Sequence, residues 1–177
     1  MPERPERIVL VGFMGSGKST VGRLVARRLE YAFEDMDHRI EARAGRTIAA
    51  IFRDDGEEAF RALEREEARV LLGLPRRVVA AGGGAFARTE TRALLQEGAV
   101  TVWLRCDLET ALARVPADGA RPLATNRDIM RSLLAEREPS YRMADVVVDA
   151  GGAPEQVAER VVALVRGRLR DEPPAGR

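Results

Sequence analysis

The residues best suited to chemistry stand together near the start of the chain, where Gly12 to Ser19 reads G-F-M-G-S-G-K-S. This fits the phosphate-binding pattern G-x-x-x-x-G-K-[ST], in which backbone N–H groups turn inward around phosphate oxygens. Gly12, Gly15 and Gly17 permit that turn, with Met14 and Ser16 between them, and a helix opening at Lys18 adds the positive end of its dipole. Lys18 is placed to reach the β- and γ-phosphates of a nucleoside triphosphate, and the hydroxyl of Ser19, which precedes Thr20, to bind Mg²⁺. That lysine is alone among 28 arginines. A chain that uses arginine almost everywhere a cation is wanted keeps an ammonium where a forked guanidinium does not fit. A bias toward arginine explains the arginines but not the position of Lys18.

Two further clusters could act on a substrate. In Glu34-Asp35-Met36-Asp37 the aspartates are two apart, and on an extended segment both carboxylates would face the same side, past the C-terminal edge of a sheet. One could hold water on Mg²⁺ while the other accepts a hydrogen bond from a substrate hydroxyl; a solvated helix cap is the competing reading. Gly82-Gly83-Gly84 allows close backbone approach to a ligand, or forms a simple flexible turn.

Composition narrows the class. One cysteine, Cys106, and one histidine, His38, exclude a disulfide framework and a Cys/His zinc site, so any metal is held by oxygen. A net charge of +1 gives no basic field for nucleic acid. No apolar run approaches the ~18 residues that span a bilayer, so a cytoplasmic protein with no membrane partner is expected. A guanine-nucleotide switch needs an N-K-x-D element, for which this chain lacks a second lysine. A motor ATPase needs a strand ending in acidic residues, where this chain has Ala80-Ala81-Gly82. A small kinase of a non-protein substrate remains.

The elements that must position these groups alternate. Strands are predicted at Arg7–Val11, Tyr31–Phe33, Arg77–Ala81, Ala99–Leu104 and Asp145–Val148. Helices are predicted at Lys18–Leu29, through a region broken near Gly45 and Gly56 that includes Glu57–Leu72, and from about Pro154 to Arg168. This pattern predicts one α/β domain over residues 1–177, an open and mostly parallel sheet covered on both faces. Val115–Arg127 reads as a mobile lid, and residues 171–177 as a frayed tail.

Taken in order, these pieces resemble the shikimate kinase family. The matching residues are Gly12 to Thr20, the Asp35-x-Asp37 pair, and I-F-R-D-D-G-E-E-A-F-R at Ile51 to Arg61 continuing to Glu64. They go on through Gly82-Gly83-Gly84, Arg121-Pro122-Leu123 and Arg137-x-x-x-Tyr141. The resemblance implies a three-layer α/β/α P-loop fold with five parallel strands in the order 2-3-1-4-5, a mobile substrate-binding region at about 36–64 and a lid at about 115–125. It implies a monomer that binds ATP and shikimate with one Mg²⁺ and phosphorylates the 3-hydroxyl of shikimate. By position, Asp37 would bind shikimate hydroxyls and act as base, Arg61 and Arg137 would hold the carboxylate, and Gly82, Gly83 and Gly84 would lie against the substrate, with Gly83 giving a backbone donor. Asp35 would serve Mg²⁺ through water, Arg121 would close over the transferring phosphate, and Arg114 and Pro154 would flank adenine.

The chain departs from the family at Ala124, often leucine, and at Ala80-Ala81, where a threonine or serine is common. Two alternatives stay open: a kinase of the same fold for another polyol acid, such as gluconate or an aminoshikimate, and a nucleotide-binding module without transfer activity.

Overall fold

The computed structural model describes residues 6–115 and 126–171, with side chains through 168. Five residues buried on both faces, Arg7–Val11, form strand β1 at the centre of a parallel sheet. β3 (Arg77–Ala80) and β4 (Ala99–Arg105) flank it, β2 (Ala32–Asp35) lies outside β3, and β5 (Val146–Asp149) lies outside β4. The order is β2-β3-β1-β4-β5, as the family resemblance implies.

Alternation along β1 divides the core. Ile8 and Leu10 face a layer formed by α1 (Lys18–Leu29) and α8 (Pro154–Asp171), where Val25, Leu29, Val157 and Val161 are buried. Val9 and Val11 face the opposite layer, built from α4 (Glu57–Leu72), α5 (Thr89–Gln96), α6 (Leu108–Arg114) and α7 (Arg127–Tyr141), with Phe86, Met130 and Tyr141 buried. Each such side chain, taken fully from water, contributes roughly 1.5–3 kcal/mol. A third, smaller core of Ile40, Ile51 and Phe60 joins α2 (Met36–Ala44), α3 (Ile48–Asp55) and α4.

The predicted elements are present: β1, α1 and α4 keep their predicted ends, and where other ends shift the causes are local. β2 begins at Ala32 because the N–H of Tyr31 is taken by Ala26 O, 2.9 Å away, in the turn that ends α1. It runs on to Asp35, in register with Ala80. β3 correspondingly stops at Ala80. β5 begins at Val146 because the Asp145 carboxylate accepts from Thr101 N and Oγ1, at 2.8 and 2.7 Å, and so serves β4 from the side. The last helix runs to Asp171. The lid-like stretch 116–125, with Arg121, Pro122, Leu123 and Ala124, and the tail 172–177 lie outside the described residues. Among the described residues no helix is long and apolar enough to cross a membrane.

Candidate active site

β1 delivers its glycine loop to the C-terminal edge of the sheet, beside the ends of β3 and β4, where open α/β sheets bind ligands. Gly12, Gly15 and Gly17 have φ of 146, 78 and 91°, values that L side chains rarely adopt. Gly15 also lies so close to Ala111 O in α6 that a Cβ would collide with it. Gly17 caps α1 without a side-chain hydrogen bond, so no capping side chain competes for the first-turn N–H groups. Lys18 arches back along the loop and donates to Gly12 O at 2.7 Å and Phe13 O at 2.9 Å. The Ser16 hydroxyl, inside the loop, is buried with no hydrogen-bond partner among the described residues.

At the start of α1, directly after Lys18, Ser19 Oγ donates to Asp35 Oδ2 at 2.5 Å. The other oxygen of Asp35 accepts from His38 N at 3.2 Å and caps α2. This corrects one expectation from the sequence. The strand stops at Asp35 and the helix starts at Met36, so the two aspartates do not share an extended segment. Both nevertheless line the same cavity, Asp35 from the strand end and Asp37 from the first helical turn.

The three glycines after β3 give space to charged groups from three helices, α2, α4 and α7. A Cβ on Gly82 would stand 2.7 Å from Glu64 Oε1 and 2.9 Å from Asp37 Oδ1; one on Gly84 would stand 2.7 Å from both terminal nitrogens of Arg61. Gly83 faces Arg137, whose Nη1 is 3.4 Å from that position. Arg61 is anchored by Glu64 at 2.6 Å and by Glu57 at 3.2 Å, and Arg137 is buried. Glu64 is 1% exposed, and its Oε1 has no hydrogen-bond partner among the described residues.

Burial is the main reason the Glu64 carboxyl sits above its usual range. Arg61 opposes that rise, and the neighbouring Asp37 charge adds to it. Burial pulls the Arg61 guanidinium down, but Glu64 and Glu57 outweigh it and the group is held above its usual value. The Arg61 guanidinium thus reaches the turn with its counter-charges, Glu64 and Glu57, already fixed beside it.

Gly15, Ser16, Gly17, Lys18, Ser19 and Thr20 line one cavity of about 700 Å³, together with Asp35, Asp37 and Gly83. At its far end Arg114 donates to Ala150 O at 3.2 Å, next to Gly152 and Pro154. Gly12 and Met14 lie at the base of the loop, Gly12 as an acceptor for Lys18 and Met14 with its side chain in the core. Arg61, Arg137, Gly82 and Gly84 stand behind Gly83 and do not line this cavity.

A family model described as shikimate kinase matches residues 14–166. The chain belongs to the shikimate kinase family. A shikimate kinase from Caulobacter vibrioides is 46% identical over 169 residues, covering 93% of this chain and 84% of that one. One from Geobacter sulfurreducens is 44% identical over 170 residues, covering 94% of each. Among solved structures, shikimate kinase from Acinetobacter baumannii in complex with shikimate superposes with a TM-score of 0.89 at 36% identity, over 92% of this chain and 94% of that one.

Seen as a shikimate kinase fold, the chain gathers almost every residue picked out from the sequence at one edge of the sheet. Sequence reasoning quoted Glu64 and Tyr141 but gave neither a role. Glu64 lies three residues after Arg61 on α4, a helical ion-pair spacing that could have drawn notice. Tyr141 lies one turn after Arg137 on α7 and donates its hydroxyl to Gly83 O at 2.5 Å. Ala80 and Ala81 line the cavity where the family often carries a hydroxyl.

Proposed function

We propose that the chain transfers the γ-phosphoryl group of ATP to the 3-hydroxyl of shikimate, giving shikimate 3-phosphate and ADP. The observation that supports this most is the convergence of two buried or nearly buried arginines from different helices, Arg61 and Arg137, on a glycine turn beside Asp37. Planar guanidinium forks match a carboxylate, and the paired placement leaves the carboxylate's ring hydroxyls to meet Asp37 and the phosphate loop.

In this mechanism Lys18 exchanges the carbonyls of Gly12 and Phe13 for phosphate oxygens, while the loop N–H groups and the start of α1 hold the β- and γ-phosphates. Arg114 and Pro154 border the adenine end of the cavity. Asp37 orients the attacking hydroxyl and takes its proton, and Arg121 offsets charge on the moving phosphoryl group. Ser19 and Asp35 already face one another at 2.5 Å, an all-oxygen pair suited to a hard cation that arrives with the phosphates. They would hold one Mg²⁺, which would supply neutralising charge to the phosphates.

An ADP-release assay with and without shikimate tests the proposal. Release is expected to depend on both shikimate and Mg²⁺, with gluconate a poor substitute. A folded, ATP-binding sample with no shikimate-dependent turnover would overturn it.

A further inference from the structure

Three glycines in succession can rotate their peptide planes at little steric cost, so a turn that presents backbone donors to a substrate needs its planes held. Here the carbonyls of Gly82 and Gly84 are fixed within the turn, accepting from Ala85 N at 3.1 Å and Ala87 N at 3.2 Å. The middle carbonyl, Gly83 O, is instead fixed from another part of the chain by the Tyr141 hydroxyl, at 2.5 Å. Because a trans peptide is planar, holding Gly83 O also fixes the direction of the Gly84 N–H.

The same hydroxyl interacts with the Arg137 side chain, one helical turn earlier, and Arg137 Nη1 lies over Gly83. Tyr141 is fully buried, its ring 6.0 Å from that of Trp103, so the hydroxyl has a defined position. Burial pushes its pKa up to about 12, which keeps the O–H available as a donor throughout the neutral range.

We infer that Tyr141 is a positioning residue for the acceptor: its one hydroxyl holds the Gly83–Gly84 peptide and the Arg137 guanidinium in a single arrangement that receives the substrate carboxylate. The inference rests on the proposed reaction with shikimate, and it concerns a residue outside the phosphate loop and the metal pair.

The test compares the wild-type chain with Tyr141→Phe, which keeps the ring and removes the hydroxyl, in steady-state assays with shikimate, methyl shikimate and ATP. The KM for shikimate is expected to rise about tenfold, equivalent to about 1.4 kcal/mol, while the KM for ATP and the melting temperature stay close to wild type. Preference for the free acid over the ester, as the ratio of kcat/KM values, should fall by a similar factor. Trp103→Phe, which perturbs the packing without touching a hydroxyl on the turn, should leave that ratio unchanged.

An unchanged acid-to-ester ratio in Tyr141→Phe would overturn the inference. So would a loss of stability, up to failure to fold, without a selective effect on shikimate. If the wild-type chain itself does not turn over shikimate, the proposed reaction fails and this role fails with it.

Discussion

Lys18 is the one ammonium in a chain of arginines, and its surroundings give the reason. Its Nζ fits between two loop carbonyls, Gly12 O and Phe13 O, at 2.7 and 2.9 Å, in a loop whose close contacts with Ala111 and Leu104 leave no room to widen. A guanidinium carries the same charge but is planar and broad. Lys18→Arg is therefore expected to lower kcat at least about 100-fold, on the scale of losing one fixed donor at a developing charge. Near-normal turnover would mean that charge alone suffices there. Glu64 shows the complementary case, an acidic group whose value lies in what it holds. It stands between Arg61 and Asp37, with one oxygen committed to the guanidinium and the carboxyl raised by burial. Its spacing three residues after Arg61 marks an ion pair, but its place in the site depends on the approach of Gly82, in the turn after β3.

At the scale of elements, the site joins two differently supported halves. The phosphate loop grows from β1 and rests on the main core, and this half was legible in the sequence because its signals are local: an unbroken apolar run, glycines at fixed spacing, and an amphipathic helix. In the acceptor half, Asp37 and the three glycines were legible from residue type and spacing, whereas Arg61 and Arg137 were legible only through the family resemblance. Arg61 and Arg137 lie on α4 and α7, and only the folded chain brings both guanidinium groups to the same glycine turn. The aspartate pair shows how a local rule can fail while its conclusion holds: Asp35 ends β2 by capping α2, and that cap turns the chain so that Asp37 enters the cavity from a helix. Asp37 and Arg61 are carried on α2 and α4, which the small core of Ile40, Ile51 and Phe60 holds together. Ile51→Ala should cost about 2–4 kcal/mol of stability and raise the KM for shikimate more than that for ATP. Thermal melts and initial rates check this, and equal changes in both KM values would show that the small core does not support the acceptor half separately.

For the whole molecule, the strand order puts the phosphate loop at the middle of the sheet, between the ends of β3 and β4. In the proposed reaction the glycine turn after β3 faces the acceptor, and Arg114, Ala150 and Pro154, beyond β4 and β5, border the nucleotide. That reaction passes the phosphoryl group from Lys18 toward Asp37, which line the same cavity. Catalysis in such a site comes mostly from position and fixed charge, which is why its donors are already tied down by Glu64, Glu57 and Tyr141. The most direct measurement is a crystal structure of the chain with shikimate and ADP. The proposed geometry predicts the carboxylate between Arg61 and Arg137 against the glycine turn, with the 3-hydroxyl beside Asp37 and facing Lys18. Shikimate bound with its carboxylate elsewhere, or with the 3-hydroxyl turned away from Asp37, would contradict it.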